Sequence, residues 1–232
     1  MRTKTILMLA MLLGAVLLPG HALAQDARNF PDAGYTVEDD AIWAFFQAHG
    51  GADTFGAPIS REMAMQGLQL QIFQNAALQI QTDGSVQPVQ LTSDGWLPYS
   101  SFGGLTVPKA DAAVAFVAPT PDQPNYDARI AAYTNATVAP PFAASYDLTL
   151  LGLPTSNAKP DPNNPSFVYQ RFQNGILLAD ASSGSVGMLP LGEYLKDVAT
   201  GQNLPADLAV EATRSALYRH YSADEAFVPD AA

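Results

Sequence analysis

Beyond the N-terminal apolar stretch the chain has two histidines, His49 and His220, and neither sits near a second titratable group at a spacing that builds a site. His49 closes the run "TVEDDAIWAFFQAHGG", where a partly positive imidazole complements the terminal carbonyls of a helix. Catalysis would need converging partners that its neighbourhood does not supply. His220, in "LYRHYSADE", reads as exposed. The serines of "SSGSVG" (182–187) lack the Gly-x-Ser-x-Gly frame of a nucleophile elbow and read as a hairpin turn. With no cysteine and no His-x-x-x-His, neither thiolate chemistry nor a zinc site is expected. Asp161, Asn163 and Asn164 offer oxygens, but three ligands fall short of the about six to eight that calcium takes, so "KPDPNNPS" reads as a turn. The 22 Asp and Glu residues show no spacing that singles out a pair for glycoside cleavage. "NAT" at 135–137 matches a glycosylation sequon, a weak signal. No catalytic residue, metal ligand or cofactor is assigned.

A binding surface is the stronger prospect. "SDGWLPYSSFGG" (93–104) interleaves Trp96, Tyr99 and Phe102 with Gly, Ser and Pro, and aromatic faces in a loop suit flat ligands and sugar rings. These three are the candidate ligand-binding residues. The competing role is capping the core between units, since large aromatics are mostly buried.

The elements that would carry this loop come in two copies. "FGAPIS" (55–60) and "IFQNAALQIQTDGSVQPVQL" (72–91) return as "LGLPTS" (151–156) and "RFQNGILLADASSGSVGMLPL" (171–191), and the offset grows from 96 through 99 to 100. One unit was duplicated and then acquired short loop insertions. Leu68, Leu70 and Ile72 alternate with Gln69 and Gln71, and Leu78 and Ile80 with Gln79 and Gln81. This period of two predicts half-buried strands. Asn174-Gly175 predicts a two-residue hairpin turn with positive φ at both positions. The first copy has Ala76 where the second has Gly175, which predicts a different turn type or mild strain there. The Gln and Asn of Phe-Gln-Asn read as turn residues rather than ligand contacts.

Thr36 is the expected N-cap of a helix whose Ile42, Phe45, Phe46 and His49 share a face and which Gly50-Gly51 ends. Pro140-Pro141 forbids its counterpart in the second unit, so that helix is lost or moved upstream to "YDARIAAYTN". "PADLAVEATRSALYRHY" predicts a C-terminal helix behind Pro205, followed by a frayed end. The fold class is therefore α+β: two copies of a mainly β hairpin and meander unit, the first preceded by an amphipathic helix, plus a C-terminal helix. The expected division is 1–24, 25–110 (first unit), 111–126 (Pro-rich connection), 127–201 (second unit) and 202–232 (helix and tail).

Residues 1–24 read as a secretory signal peptide. Arg2 and Lys4 precede the apolar run Ile6–Leu18, and Ala22-Leu23-Ala24 forms the cleavage site. Processing after Ala24 removes two bases and no acid, which takes the formal charge from −11 to −13. So acidic a chain is a poor partner for nucleic acid or anionic lipid. After signal removal no membrane insertion is expected, and the location is secreted or cell-surface.

"TLLGLPTS" with "YQRFQNGILLADASSGSVG" resembles the LGFP repeat of bacterial cell-envelope proteins, and the first unit resembles a related repeat of secreted bacterial proteins. The two likenesses cover about residues 30–91 and 147–198. Leu153 and Ala57 stand where the eponymous Phe would be. The resemblance implies a non-catalytic binding or anchoring role at the envelope, with envelope glycan or surface proteins as partners. It carries over no binding residues. An extracellular assembly protein that binds protein partners is the alternative, and a carboxylate-dependent glycan hydrolase the remote one.

Overall fold

The structure is a computed structural model that describes residues 27–97, 99–102, 104–114, 121–122 and 124–230. The expected signal peptide and its cleavage site lie outside the described residues. β1 (Asn29–Phe30) and β2 (Tyr35–Thr36) form a short ribbon, followed by α1 (Asp40–Ala48) and α2 (Gly51–Phe55). The first sheet is an antiparallel meander of β3 (Met63–Met65), β4 (Leu68–Ile72), β5 (Ala77–Ile80) and β6 (Val86–Pro88). A second ribbon, β7 (Ser101–Phe102) with β8 (Leu105–Thr106), leads to α3 (Tyr126–Thr137) and α4 (Leu148–Leu151). The second meander repeats the first with β9 (Lys159–Pro160), β10 (Phe167–Arg171), β11 (Ile176–Asp180) and β12 (Val186–Met188). α5 (Leu191–Thr200) and α6 (Ala206–Ala212) close the chain. The α+β class and its duplicated meander are thus observed.

Phe-Gln-Asn occurs twice because it ties each unit together. Gln74 Oε1 accepts from Ala57 N at 2.9 Å, and Gln173 Oε1 from Leu153 N at 2.8 Å. Asn75 Nδ2 donates to Thr54 O, and Asn174 Nδ2 to Leu150 O, so each asparagine holds the short helix of its own unit. Gly56 (φ +73) and Gly152 (φ +70) let the glutamine approach, since a Cβ would stand 2.5 and 2.6 Å from its Oε1. Both hairpins turn alike, with Phe73 N donating to Ala76 O and Phe172 N to Gly175 O. The positive φ expected at Asn174 and Gly175 is absent, so Ala76 has no strain to bear. Side-chain bonds to the neighbouring loop shape this turn in place of left-handed backbone. The left-handed pair is Gln66-Gly67, at φ +53 and +78, between β3 and β4.

The strands are also more buried than their alternation predicts. Leu70 and Ile72 face one core and Leu78 the other. Gln71 and Gln170, at 1% and 0% exposure, are buried polar residues whose amides bridge carbonyls. Each sheet is therefore covered on both faces, and each core takes residues from both units. One core stacks Phe46 on Phe73 and Phe55 at centroid distances of 5.1 and 5.5 Å. Full burial of such a ring contributes about 1.5–3 kcal/mol.

The units grip each other reciprocally. After β6, Thr92 Oγ1 donates to Gln173 O at 2.6 Å. After β12, Glu193 N donates to Gln74 O at 2.9 Å, and Gly192 lies against the Phe73 carbonyl. Each Phe-Gln-Asn turn thus receives the segment that leaves the other unit's sheet. Such exchange is the mark of an isologous two-fold contact, here within one chain.

Several local expectations are corrected. The N-cap of α1 is Asp39, whose carboxylate accepts from Ala41 and Ile42 N, while Thr36 ends β2. A carboxylate at this position satisfies two orphan donors and complements the dipole. In the second unit the counterpart of α1 is a 3₁₀ turn at Pro140–Phe142, because proline removes the donors an α-helix needs. α5 was not anticipated, although Leu191, Tyr194, Leu195 and Val198 fall at helical spacing and Gly201 (φ +68) stops the helix. The C-terminal helix ends at Ala212, well short of its expected length. The following tail is docked rather than frayed: Asp230 N donates to Gly34 O and its carboxylate pairs with Arg61 at 2.8 Å.

His49 joins the units as well. Its Nδ1 lies 2.6 Å from Asp147 Oδ2, and Asp147 Oδ1 caps α4 through Thr149 and Leu150 N. Burial pushes the Asp147 carboxyl up, but His49 and the two backbone donors outweigh it and hold it below the usual carboxylate range. A depressed carboxyl contributes stability that is complete above its unfolded value, near pH 4, and is lost as pH falls through the folded value. Urea unfolding from pH 6 down to 3 should therefore show a smaller acid-side loss for Asp147→Asn than for the wild type. Equal slopes would remove Asp147 from the acid response.

Candidate functional site

The segment after β6 crosses onto the second sheet and leaves a cleft of about 430 Å³ between the two units. Its apolar wall includes Leu91, Leu97, Val107, Ile176 and Leu191. Ser93 and Ser100 add hydroxyls, and Asp94, Glu211, Lys109 and Arg171 add charge. Polar surface slightly exceeds apolar surface in this lining, which suits a hydroxyl-rich ligand better than a purely apolar one.

Arg171 stands at the end of β10, placed by its own backbone N, which donates to Ser156 Oγ at 2.9 Å. Its Nη1 donates to Pro108 O at 3.1 Å and its Nη2 to Thr92 O, while the buried Nε has no partner. Burial lowers the guanidinium's pKa and the charge of Asp94 works against that. Tyr99 is 5% exposed and stacks on Tyr194 at 4.1 Å, with its buried hydroxyl unpartnered. Burial, with the charges of Asp197 and Glu211, pushes that hydroxyl's pKa upward. Burial raises Asp197 itself to about 6, but it stands on α5 away from the cleft lining.

Tyr99 lines the cleft, and it does so as a buried member of the core rather than as a free platform. Trp96 is half-buried against the same core. Phe102 pairs with Leu105 in the ribbon, and its side chain lies outside the described residues. The loop singled out by sequence does form a wall of the cleft, but through Ser93, Asp94, Leu97 and Ser100. Arg171 was missed. Its signal was the repeat alignment, which sets it opposite Ile72.

Other candidate chemistry is absorbed into structure. Asp161, 1% exposed, accepts from Thr106, Asn163 and Asn164 N. Burial pushes its carboxyl up, but these donors hold it below the usual range. His220 is exposed beside Tyr221. Among the described residues no group of His, Cys, Asp or Glu is placed to hold a metal, and no helix is long and apolar enough to cross a membrane. A second cleft of about 430 Å³ is lined by Asp111 and Lys159, which pair with each other at 3.3 Å.

The fold and cleft define a duplicated β/α repeat with a shared pocket. Compared with models of known protein families and with curated proteins, the chain matches none.

Proposed function

We propose that this is an exported, non-catalytic repeat module of the LGFP type that associates with the bacterial cell envelope by binding its glycan. The cleft between the units carries this reading, because it gathers the polar groups that internal structure leaves over while the repeated motif residues are consumed in holding the fold. The repeat part of this reading is supported by the matching Gly-x-Pro loops of the two units, in which Pro58 bridges Phe73 and Pro154 bridges Phe172. Purified protein lacking residues 1–24 should sediment with insoluble peptidoglycan or with envelope polysaccharide. Sedimentation with neither, alongside capture of surface proteins, would favour an assembly role instead. Hydrolysis has one observation in its favour, the presence of Asp94 and Glu211 on one cleft. Release of reducing ends that is lost in Glu211→Gln would establish it.

A further inference from the structure

Where one copy of a unit buries an aliphatic residue and the other carries a half-buried charge, the difference itself is informative. Ile72 ends β4 opposite Ala77 and is fully buried. Its counterpart Arg171 ends β10 opposite Ile176, in the same register. Packing alone would retain an aliphatic residue there, because an internal charge is costly without a partner. Four ion pairs occur among the described residues, and Arg171 belongs to none of them. Two backbone carbonyls, Thr92 and Pro108, are its acceptors, and the Nε–H remains unsatisfied.

The covering segments differ too. α5 leaves the second sheet and its Lys196 reaches Ile59 O and Tyr35 on the first unit. The corresponding segment after β6 forms no helix, and its irregular path over the second sheet creates the cleft. Symmetry therefore breaks twice at one place, in the residue beneath and in the cover above.

We infer that this cleft binds a small ligand through a carboxylate that pairs with the Nε–Nη2 edge of Arg171, so that the glycan recognised is one bearing a sugar acid. The carboxylate replaces the Thr92 carbonyl, a weaker acceptor than an anion, and reaches the buried Nε from that edge. The Tyr99 hydroxyl, also unsatisfied, is a second donor on the same wall. Asp94 and Glu211 offset Arg171 and Lys109, which leaves the cleft near neutrality and disfavours polyanions. One carboxylate among hydroxyls, with an apolar ring face, is what this lining matches.

The inference rests on the glycan-binding reading, and one calorimetric series separates the two. N-acetylmuramate and neutral N-acetylglucosamine share a ring and differ by a carboxylate-bearing group. The wild type should prefer the acid by at least about tenfold, the order expected of one buried charge-assisted pair. Arg171→Ile, which installs the first unit's residue, should abolish that preference with the thermal midpoint retained. Asp94 is exposed and its side chain supports no bond in the fold, so Asp94→Asn keeps the test informative if Arg171→Ile fails to fold. It should raise the preference for the acid over the neutral sugar by about two- to threefold, as loss of one screened like charge does. Equal binding of both sugars, binding of neither, or a preference that survives Arg171→Ile would overturn the site. The muramate carboxyl of peptidoglycan is amide-linked to its peptide, so uronate-bearing envelope polysaccharide is the polymer probe. Its sedimentation with wild type and Arg171→Ile alike would leave the envelope reading standing and the site refuted. Acid binding through Arg171 without sedimentation on either envelope polymer would do the reverse.

Discussion

Gly192→Ala is expected to destabilise the protein by about 2–4 kcal/mol, more than a typical substitution of one methyl. A Cβ at this position would stand 1.7 Å from the Phe73 carbonyl oxygen and 3.0 Å from those of Gln74 and Ala76. All three are backbone atoms of the other unit's turn, so no side chain can rotate away. The start of α5 would have to lift, stretching the Glu193 N to Gln74 O bond and loosening Leu191, Tyr194 and Leu195 in the core. Gly187→Ala is the control, since a Cβ there meets nothing within 4 Å. Urea unfolding of the two variants should separate clearly. A Gly192→Ala midpoint equal to that of Gly187→Ala would mean that the units do not interlock through this turn.

The second large effect is expected from Gln170→Leu, at about 2–4 kcal/mol. Gln170 is fully buried, donates to Thr137 O and Ser156 O, and accepts from Ala139 N. Leucine has nearly the same size and leaves three backbone groups without partners inside the protein. The cost lies in those orphaned groups rather than in lost volume. Gln71→Leu should act in the same direction and somewhat more weakly, since Gln71 serves two carbonyls, Thr36 O and Ser60 O. Denaturant unfolding of both variants tests the duplication energetically. If either substitution were neutral or stabilising, the buried amides would not be organising their loops.

These glutamines also show why the strand pattern was only half legible. Alternation of Leu and Gln identifies β4 and β5 correctly, because side chains on successive residues point to opposite faces. It cannot tell whether the polar face meets water or a row of carbonyls. The same limit explains the Asn174-Gly175 turn. Its location was legible from local propensity, but its conformation follows from bonds to Leu151 and Leu150, more than 20 residues upstream. α5 is a different case. Its periodicity and its terminating glycine are written in the sequence.

Duplication, the α+β class, the hairpin positions and the upstream helix at Tyr126–Thr137 in place of a direct counterpart of α1 were all determined by composition and spacing, because each depends on neighbours close in the chain. Proline at 140 and 141 keeps an α-helix from running through these positions whatever surrounds them, and only a 3₁₀ turn forms there. The aromatic loop shows the opposite. Tyr99 is core because Tyr194, 95 residues away, supplies a face for it, and Arg171 lines a cleft because residues 91–110 cross from one unit to the other. Burial and charge pairing are properties of contacts between distant segments. Local pattern carries no record of which segment arrives, so the tertiary structure alone decided that Tyr99 is core and that a guanidinium lines the cleft.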